Sequence, residues 1–420
     1  MYVPKHQYTL RLLFLYIFVL PKAIQTMNNR HLFYQFLGQT SEAPLAIEIA
    51  RASGVYMYGP GGKKYMDLIS GISVSNTGHC HPHVVAAVQK QAQTYMHLMV
   101  YGEFVQSPQV ELARILTDHL PQSLNNVYLV NSGSEAIEGA MKLAKRYSGR
   151  TEIIACRNAY HGSTQGSLSV MGDEYMKKAF RPLLPDIRFI EFNNKEDLNH
   201  ITAKTACVLV ETIQGEAGAI VPDPAYMQQL REACTRNGTL LILDEIQAGC
   251  GRTGKLWAFE HFGITPDIIT LAKGMGGGMP IGAFISSKEI MHSLAHNPVL
   301  GHITTFGGNA VCAAAAKANL EVIINEKLWD NAAKIESIFR ERLNHPKIRS
   351  IRGKGLMLAV EFDSFEQNKR IIHKLIDKGI ITDWFLFAPH CLRIAPPLTI
   401  MPHEAIQACG NIIEVINNDL

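Results

Sequence analysis

The chain has 420 residues, enough for one large domain and a smaller one, and 47% of them are hydrophobic, the balance of an ordinary globular protein with a sizeable core. Lys and Arg number 40 against 37 Asp and Glu, a net charge of +3 without any long basic run, which argues against a nucleic-acid surface and for a small-molecule partner. The 8 cysteines are scattered with no CxxC pair, as expected of reduced thiols in a cytoplasmic protein.

Near the start, "LRLLFLYIFVLP" is a short apolar block. It is too short to cross a membrane, and no small-residue cleavage site follows in "PKAIQTMNNR". Met27 opens a stretch that reads like an ordinary start, so residues 1–26 are expected to be a non-native or disordered extension from an upstream start codon. N-terminal mass spectrometry of the native protein should find the chain beginning at Met27; a chain intact from Met1 would overturn this. Residues 27–70 are expected to join a small domain.

From residue 54, "GVYMYGPGGKKYMDL" predicts two short strands around a Pro-Gly-Gly turn. Beyond it, "NNVYLVNS", "TEIIAC", "ACVLVE", "TLLILDE" and "DIITLAK" read as apolar strands. Between them "SEAIEGAMKLAKRY" has helical periodicity, with Ala136, Ile137, Ala140, Met141, Leu143 and Ala144 on one stripe. Apolar strands separated by helices predict an α/β domain over residues 71–310, its mainly parallel sheet covered on both faces. The alanine-rich "NAVCAAAAKANLEVI" then predicts a helix, and "LMLAVEF" and "CLRIAPP" the strands of a smaller α+β domain over 311–420.

Ligand sites in open α/β sheets form at the carboxyl ends of strands, where three of these segments sit. "YLVNSGSEAIEG" runs strand, Gly/Ser turn, helix, so Ser132, Gly133 and Ser134 make a phosphate cup, unless Ser132 merely caps the helix. "LLILDEIQAGCGRTG" ends a strand in Asp244 and Glu245, acids that must be paired or solvated: a helix cap, a magnesium ligand or a partner for a buried cation. "ITLAKGMGGG" puts Lys273 at the tip of an apolar run, before glycines that let a ligand approach the backbone. Phosphate cup, buried acid and desolvated lysine together meet the needs of pyridoxal 5'-phosphate. The cup holds the phosphate, the acid keeps the ring nitrogen protonated so that the ring acts as an electron sink, and the lysine forms the Schiff base.

Two other motifs compete. "GHCHPH" gathers His79, Cys80, His81 and His83 but lacks the separated pairs of a structural zinc site, and Pro82 suggests a turn, so no metal is expected. The glycines after Lys273 follow the lysine, whereas a Walker loop has them ahead of it, and no GxGxxG opens a helix, which sets nucleotide binding aside.

"LILDEIQAGCGRTG" through "PDIITLAKGMGGGMPIGA" resembles the signature of class III, or ω-type, aminotransferases of pyridoxal-phosphate fold type I. The likeness runs in the family's order through "GHCHP", "NSGSEA", "YHGST", "ETIQGEAG", "TTFGGN" and "LRIAPPL", and is nearest to the acetylornithine, ornithine and 4-aminobutyrate members. It implies a seven-stranded sheet, with Lys273 as Schiff-base lysine and proton carrier and Asp244 on the pyridinium nitrogen. It further implies Gln247 beside the phenolic oxygen, Tyr160 stacked on the ring with His161 beside it, and Glu211 in the surrounding hydrogen-bond shell. Gly133 and Ser134 would hold the phosphate, joined by Thr305 across a homodimer interface. Arg393 matches the arginine that clamps the substrate carboxylate and Glu216 the acid that gates it; otherwise the two form a surface ion pair. An amino donor and a 2-oxo acid acceptor are the implied partners, with an aminomutase or decarboxylase of the same superfamily as the alternative. Ser163 stands where many relatives have an arginine for the donor's distal carboxylate, and Glu42 and Ile72 replace the two tyrosines of ornithine enzymes.

Overall fold

The structure, a computed structural model, describes residues 28–418; the extension expected over 1–26 lies outside the described residues. The chain divides into a small unit, Met1–Arg51 with Tyr58–Lys63, and a large unit, Ala52–Met57 with Lys64–Leu420. In the small unit the helix Asn29–Phe36 is capped by Asn28, whose side chain accepts from the His31 N–H at 3.1 Å. The Pro-Gly-Gly turn forms as expected, between the strands Tyr56–Tyr58 and Lys64–Asp67, with Gly62 at φ +80° and its N–H on the Gly59 carbonyl at 2.9 Å.

Seven strands build the principal sheet of the large unit: β1 (Asn126–Val130), β2 (Glu152–Cys156), β3 (Ile187–Ile190), β4 (Thr205–Glu211), β5 (Leu240–Asp244), β6 (Ile268–Leu271) and β7 (Gly282–Ser286). Their order is β3-β2-β4-β5-β6-β7-β1. The pairs from β3 to β6 are all parallel, and β7 alone runs antiparallel to both its neighbours, so the sheet is mainly parallel as expected.

Both faces of this sheet are covered, which is why its central strands read as unbroken apolar runs. Every residue of β4 is buried. Along β2, Ile153 and Ala155 join a core with Ala136, Ile137, Ala140 and Leu143 of the helix Gly133–Ser148. Ile154 and Cys156 join the opposite core with Tyr226, Met227 and Leu230 of the helix Pro224–Asn237. The helix Gly133–Ser148 starts where Ser132 Oγ accepts from the Glu135 N–H at 3.2 Å and ends at Gly149, at φ +68°.

A second, antiparallel sheet comprises β8 (Ser350–Lys354), β9 (Met357–Glu361), β10 (Trp384–Phe385) and β11 (Ala388–Ile394), in the order β8-β9-β11-β10. The alanine-rich run forms the helix Ala310–Asn325, whose Asn309 cap accepts from the Val311 N–H at 3.0 Å. One expectation fails: Pro82 is the first residue of the helix Pro82–Thr94, where a missing N–H is harmless, and does not mark a turn.

Gly139 is a close approach between the helix Gly133–Ser148 and β7. A Cβ there would lie 2.3 Å from the Phe284 ring. Gly139→Ala gains about 1 kcal/mol of helix propensity but overpacks the core at about 1–3 kcal/mol. The variant should therefore unfold at lower denaturant than the wild type, and adding Phe284→Leu should restore it; a more stable single variant would refute this packing.

Candidate active site

A cavity of about 420 Å³ opens at the carboxyl ends of β4, β5 and β6. Ser132, Gly133, Ser134, Tyr160, His161, Glu211, Asp244, Gln247 and Lys273, far apart in sequence, all line it. The parallel register places Glu211, the last residue of β4, opposite Asp244, the last of β5. Two carboxylates therefore arrive side by side, and each is answered by donors from the loops.

Asp244 Oδ2 takes the His161 Nδ1–H at 2.7 Å, and Oδ1 takes the Ile246 N–H at 2.9 Å. Glu211 accepts the Tyr160 N–H at 3.0 Å and the Gly215 N–H at 2.7 Å. Glu245 faces away from the cavity and caps a short helical turn, accepting the Ala258 and Phe259 N–H groups at 2.7 and 2.6 Å and the Thr212 hydroxyl at 3.0 Å. Of the two acids at the end of β5, the structure thus brings Asp244 to the cavity and gives Glu245 a structural task.

The first-turn N–H groups of Gly133 and Ser134 have no intrahelical acceptor and edge the same cavity. Gly162, at φ +128°, lets the chain pass over them: a Cβ there would fall 2.2 Å from Ser134 Oγ. Lys273 sits at φ +42°, an unusual conformation for a residue with a side chain, and its Nζ has no hydrogen bond or ion pair among the described residues. Burial lowers the Lys273 pKa below the ordinary lysine value, against the opposing pull of Glu216 and Asp244. A larger fraction is then the free amine, the nucleophilic form.

Arg393, on β11, and Glu216, after β4, form a bidentate pair: Nη1–Oε1 is 3.0 Å and Nη2–Oε2 2.9 Å. The side chains are only 3% and 6% exposed, so the pair is buried and the surface alternative is wrong. Burial alone would raise the Glu216 carboxyl, but the Arg393 guanidinium outweighs it and holds the pKa below the usual range. Gln247 Oε1 accepts from Arg393 Nη1 at 3.2 Å, so the Gln247 amide belongs to this pair as well as to the cavity wall. Sequence reasoning missed Asp383, which accepts from Arg393 Nε at 2.8 Å; the signal for it was an acid ten positions ahead of the arginine, across a hairpin.

Other predicted residues lie elsewhere. Thr305 is exposed and does not line the cavity. Ser163 is exposed, and its N–H meets Ser134 Oγ at 3.4 Å. Ile72 is half-buried at φ +64°, off the cavity wall, and Glu42 is exposed in the small unit. The histidine cluster does not converge: His79 pairs with Asp67 and His83 with Glu321, each at 2.8 Å, and Cys80 is exposed. Among the described residues no helix is long and apolar enough to cross a membrane.

Burial pushes the Glu211 carboxyl from 4.5 up to about 7. A carboxyl raised on folding binds its proton better in the native state than in the unfolded chain. Its contribution to stability is therefore full below about 4.5 and is lost as pH rises through about 7. Urea unfolding of the cofactor-free protein should show Glu211→Gln losing less stability than wild type between pH 5.5 and 8; equal losses would contradict this environment.

The sequence model of the class-III aminotransferases matches residues 37–416. The chain is 37% identical to the acetylornithine aminotransferase of Methanocaldococcus jannaschii, covering 90% of this chain and 94% of that one. It is also 37% identical to the acetylornithine aminotransferase of Bacillus subtilis, covering 88% and 95%. Among solved structures, the ornithine aminotransferase of Toxoplasma gondii superposes with a TM-score of 0.87 at 30% identity, over 94% of this chain and 97% of that one. The (S)-enantioselective ω-transaminase of Thermomicrobium roseum gives a TM-score of 0.87 at 28% identity, over 94% and 100%. A family match spanning nearly the whole chain, on a fold whose cavity gathers Lys273, Asp244 and the Gly133 helix start, has one meaning: the chain belongs to the class-III aminotransferases, the fold-type-I transaminases that depend on pyridoxal phosphate.

Proposed function

We propose that this transaminase moves an amino group from an ω-amine or related amino acid, of the acetylornithine, ornithine or 4-aminobutyrate class, to 2-oxoglutarate or pyruvate. The observation that carries this reading is the buried Arg393–Glu216 pair, a carboxylate receptor that the protein closes on itself. A site that must take an amine in one half-reaction and the α-carboxylate of an oxo acid in the next needs such an exchangeable partner.

The residues present fit pyridoxal phosphate. His161 Nε2 is buried without a partner, the Gly133 and Ser134 N–H groups are unspent, and Lys273 Nζ is unpaired among the described residues. In this reading Gly133 and Ser134, fixed by the Ser132 cap, hold the phosphate. Asp244, held by His161, takes the pyridinium nitrogen, Tyr160 and His161 flank the ring, and Glu211 and Gln247 complete its hydrogen-bond shell. Bound there, the cofactor supplies an electron sink for charge developing at the substrate carbon. Lys273, whose buried amine enters the cavity, would hold and move the proton at that carbon. The carbonyl product leaves before the oxo acid enters, which is ping-pong kinetics.

The enzyme acts, in this reading, as a cytoplasmic homodimer. Val105, Val299, Met96 and Phe306 are 95%, 72%, 67% and 56% exposed, a large apolar display for a monomer, and Thr305 is exposed beside Phe306. A second copy would cover these residues and receive Thr305 at its phosphate site. In this reading residues 71–310 carry the cofactor, and 27–70 join 311–420 in a smaller domain.

Purified protein should show a visible absorption band that one amine among acetylornithine, ornithine, 4-aminobutyrate, lysine, alanine and a β-amino acid bleaches, and that 2-oxoglutarate or pyruvate restores. Lys273→Ala should hold no cofactor covalently and turn over no donor. Arg393→Ala should lose on the order of 100-fold in kcat/KM for the oxo acid while keeping its cofactor. Turnover without any oxo acid would favour an aminomutase, and a band that no amine bleaches would refute the proposal.

A further inference from the structure

The Arg393 guanidinium is gripped on two edges. Glu216 holds the outer edge through Nη1 and Nη2, whereas Asp383 holds the inner Nε–H at 2.8 Å. Gln247 Oε1 and the Trp384 carbonyl accept further from Nη1 and Nη2, each at 3.2 Å, and the Phe385 ring lies 4.3 Å beneath the group. Asp383 is itself fixed to the strand that carries the arginine: its carbonyl accepts the Arg393 N–H at 2.9 Å, and the neighbouring Thr382 hydroxyl donates to the Arg393 carbonyl at 2.6 Å.

The two carboxylates are not equivalent. A planar guanidinium offers a substrate carboxylate its paired Nη edge, so Glu216 is the partner that must leave. Glu216 also has somewhere to stay, since its Oε2 takes the Leu386 N–H at 3.0 Å independently of the arginine. Asp383, on the opposite edge, is not in the way. Its carboxyl is pushed up to about 6 by burial despite Arg393, with Glu216 adding to the rise, so the two acids share one cation and each weakens the other's hold.

We infer that Asp383 is a positioning residue for the acceptor half-reaction: through Arg393 Nε it holds the guanidinium, which meets the cavity wall at Gln247, in place while Glu216 is exchanged for the α-carboxylate of the oxo acid. This rests on the transaminase reading above, in which Arg393 receives that carboxylate. Without Asp383, Glu216 still clamps the arginine during the amine half-reaction. Once Glu216 is displaced, however, the guanidinium is free to turn about its stem, and Glu216, no longer opposed by a second anion, competes harder. The loss therefore falls on one half-reaction.

The test compares Asp383→Ala with Asp383→Asn, whose amide oxygen can still accept from Nε. In the alanine variant, KM for 2-oxoglutarate should rise about tenfold, as for one charge-assisted hydrogen bond. The dissociation constant of the unreactive analogue glutarate, measured by calorimetry on the cofactor-loaded protein, should rise by the same factor. Bleaching of the visible band by the amine donor should stay within about twofold of wild type, and the asparagine variant should recover most of the acceptor affinity. Equal losses in both half-reactions, an unchanged KM and dissociation constant, or an asparagine variant as impaired as alanine would each overturn the inference. If the alanine variant does not fold, Asp383→Ser, too short to reach Nε, carries the same expectations. A wild-type band that no amine bleaches would instead sink the broader reading and leave the Asp383 contact standing.

Discussion

The parallel register of β4 and β5 brings three acids to one edge of a buried sheet: Glu211 opposite Asp244, with Glu245 next in chain. Buried carboxylates are tolerated only where donors reach them, so this edge dictates the course of the loops around it. The Tyr160–His161 turn, the Gly215 loop and the Ala258–Phe259 turn each end in an N–H or imidazole directed at one of these oxygens. The cavity is the space left when those demands are met, and Lys273 enters it from the adjoining strand β6.

A second constraint joins the small sheet to the large one. Arg252 is fully buried and spends its guanidinium on the carbonyls of Leu356 and Pro396 and on the Asn76 side chain, three points distant in sequence. Burial pulls its pKa down to about 9. Leu356 precedes β9, and Pro396 follows β11, the strand that presents Arg393. The strand that carries Arg393 is thus anchored to the loop after β5, in the same stretch that carries Asp244 and Gln247. Shape and electrostatics are fixed together.

Much of this was legible in the sequence for a physical reason: strands buried on both faces must be apolar throughout, and acids or lysines at their tips stand out against that background. The strands ending in Asp244 and Glu211 and the Ser132 turn were readable on those grounds. Two strands of the seven-stranded sheet were not. β3, at the sheet edge, carries the exposed Arg188 in its four residues, and β7 begins at a glycine within a Gly- and Pro-rich stretch, so neither shows a clean apolar run. Asp383 escaped because its meaning lies in a hairpin pairing, which periodicity does not reveal. His161 was legible as a neighbour of the ring only through family likeness; that its Nδ1–H is committed to Asp244 is a fact of three dimensions.

If Arg393 receives the substrate carboxylate as proposed, a receptor that carries its own counter-ion would also choose among the small anions of its surroundings. An arginine left open in a cavity would collect chloride, phosphate or acetate from any buffer or cell, and every true substrate would have to expel them. Arg393 instead meets each visitor already satisfied by two oxygens of Glu216. A monatomic anion such as chloride cannot match that two-point geometry, and free acetate or phosphate, which can, lack the further contacts by which a whole substrate would offset the displacement of Glu216. On the proposed function the closed pair would thus set a threshold below which free ions fall.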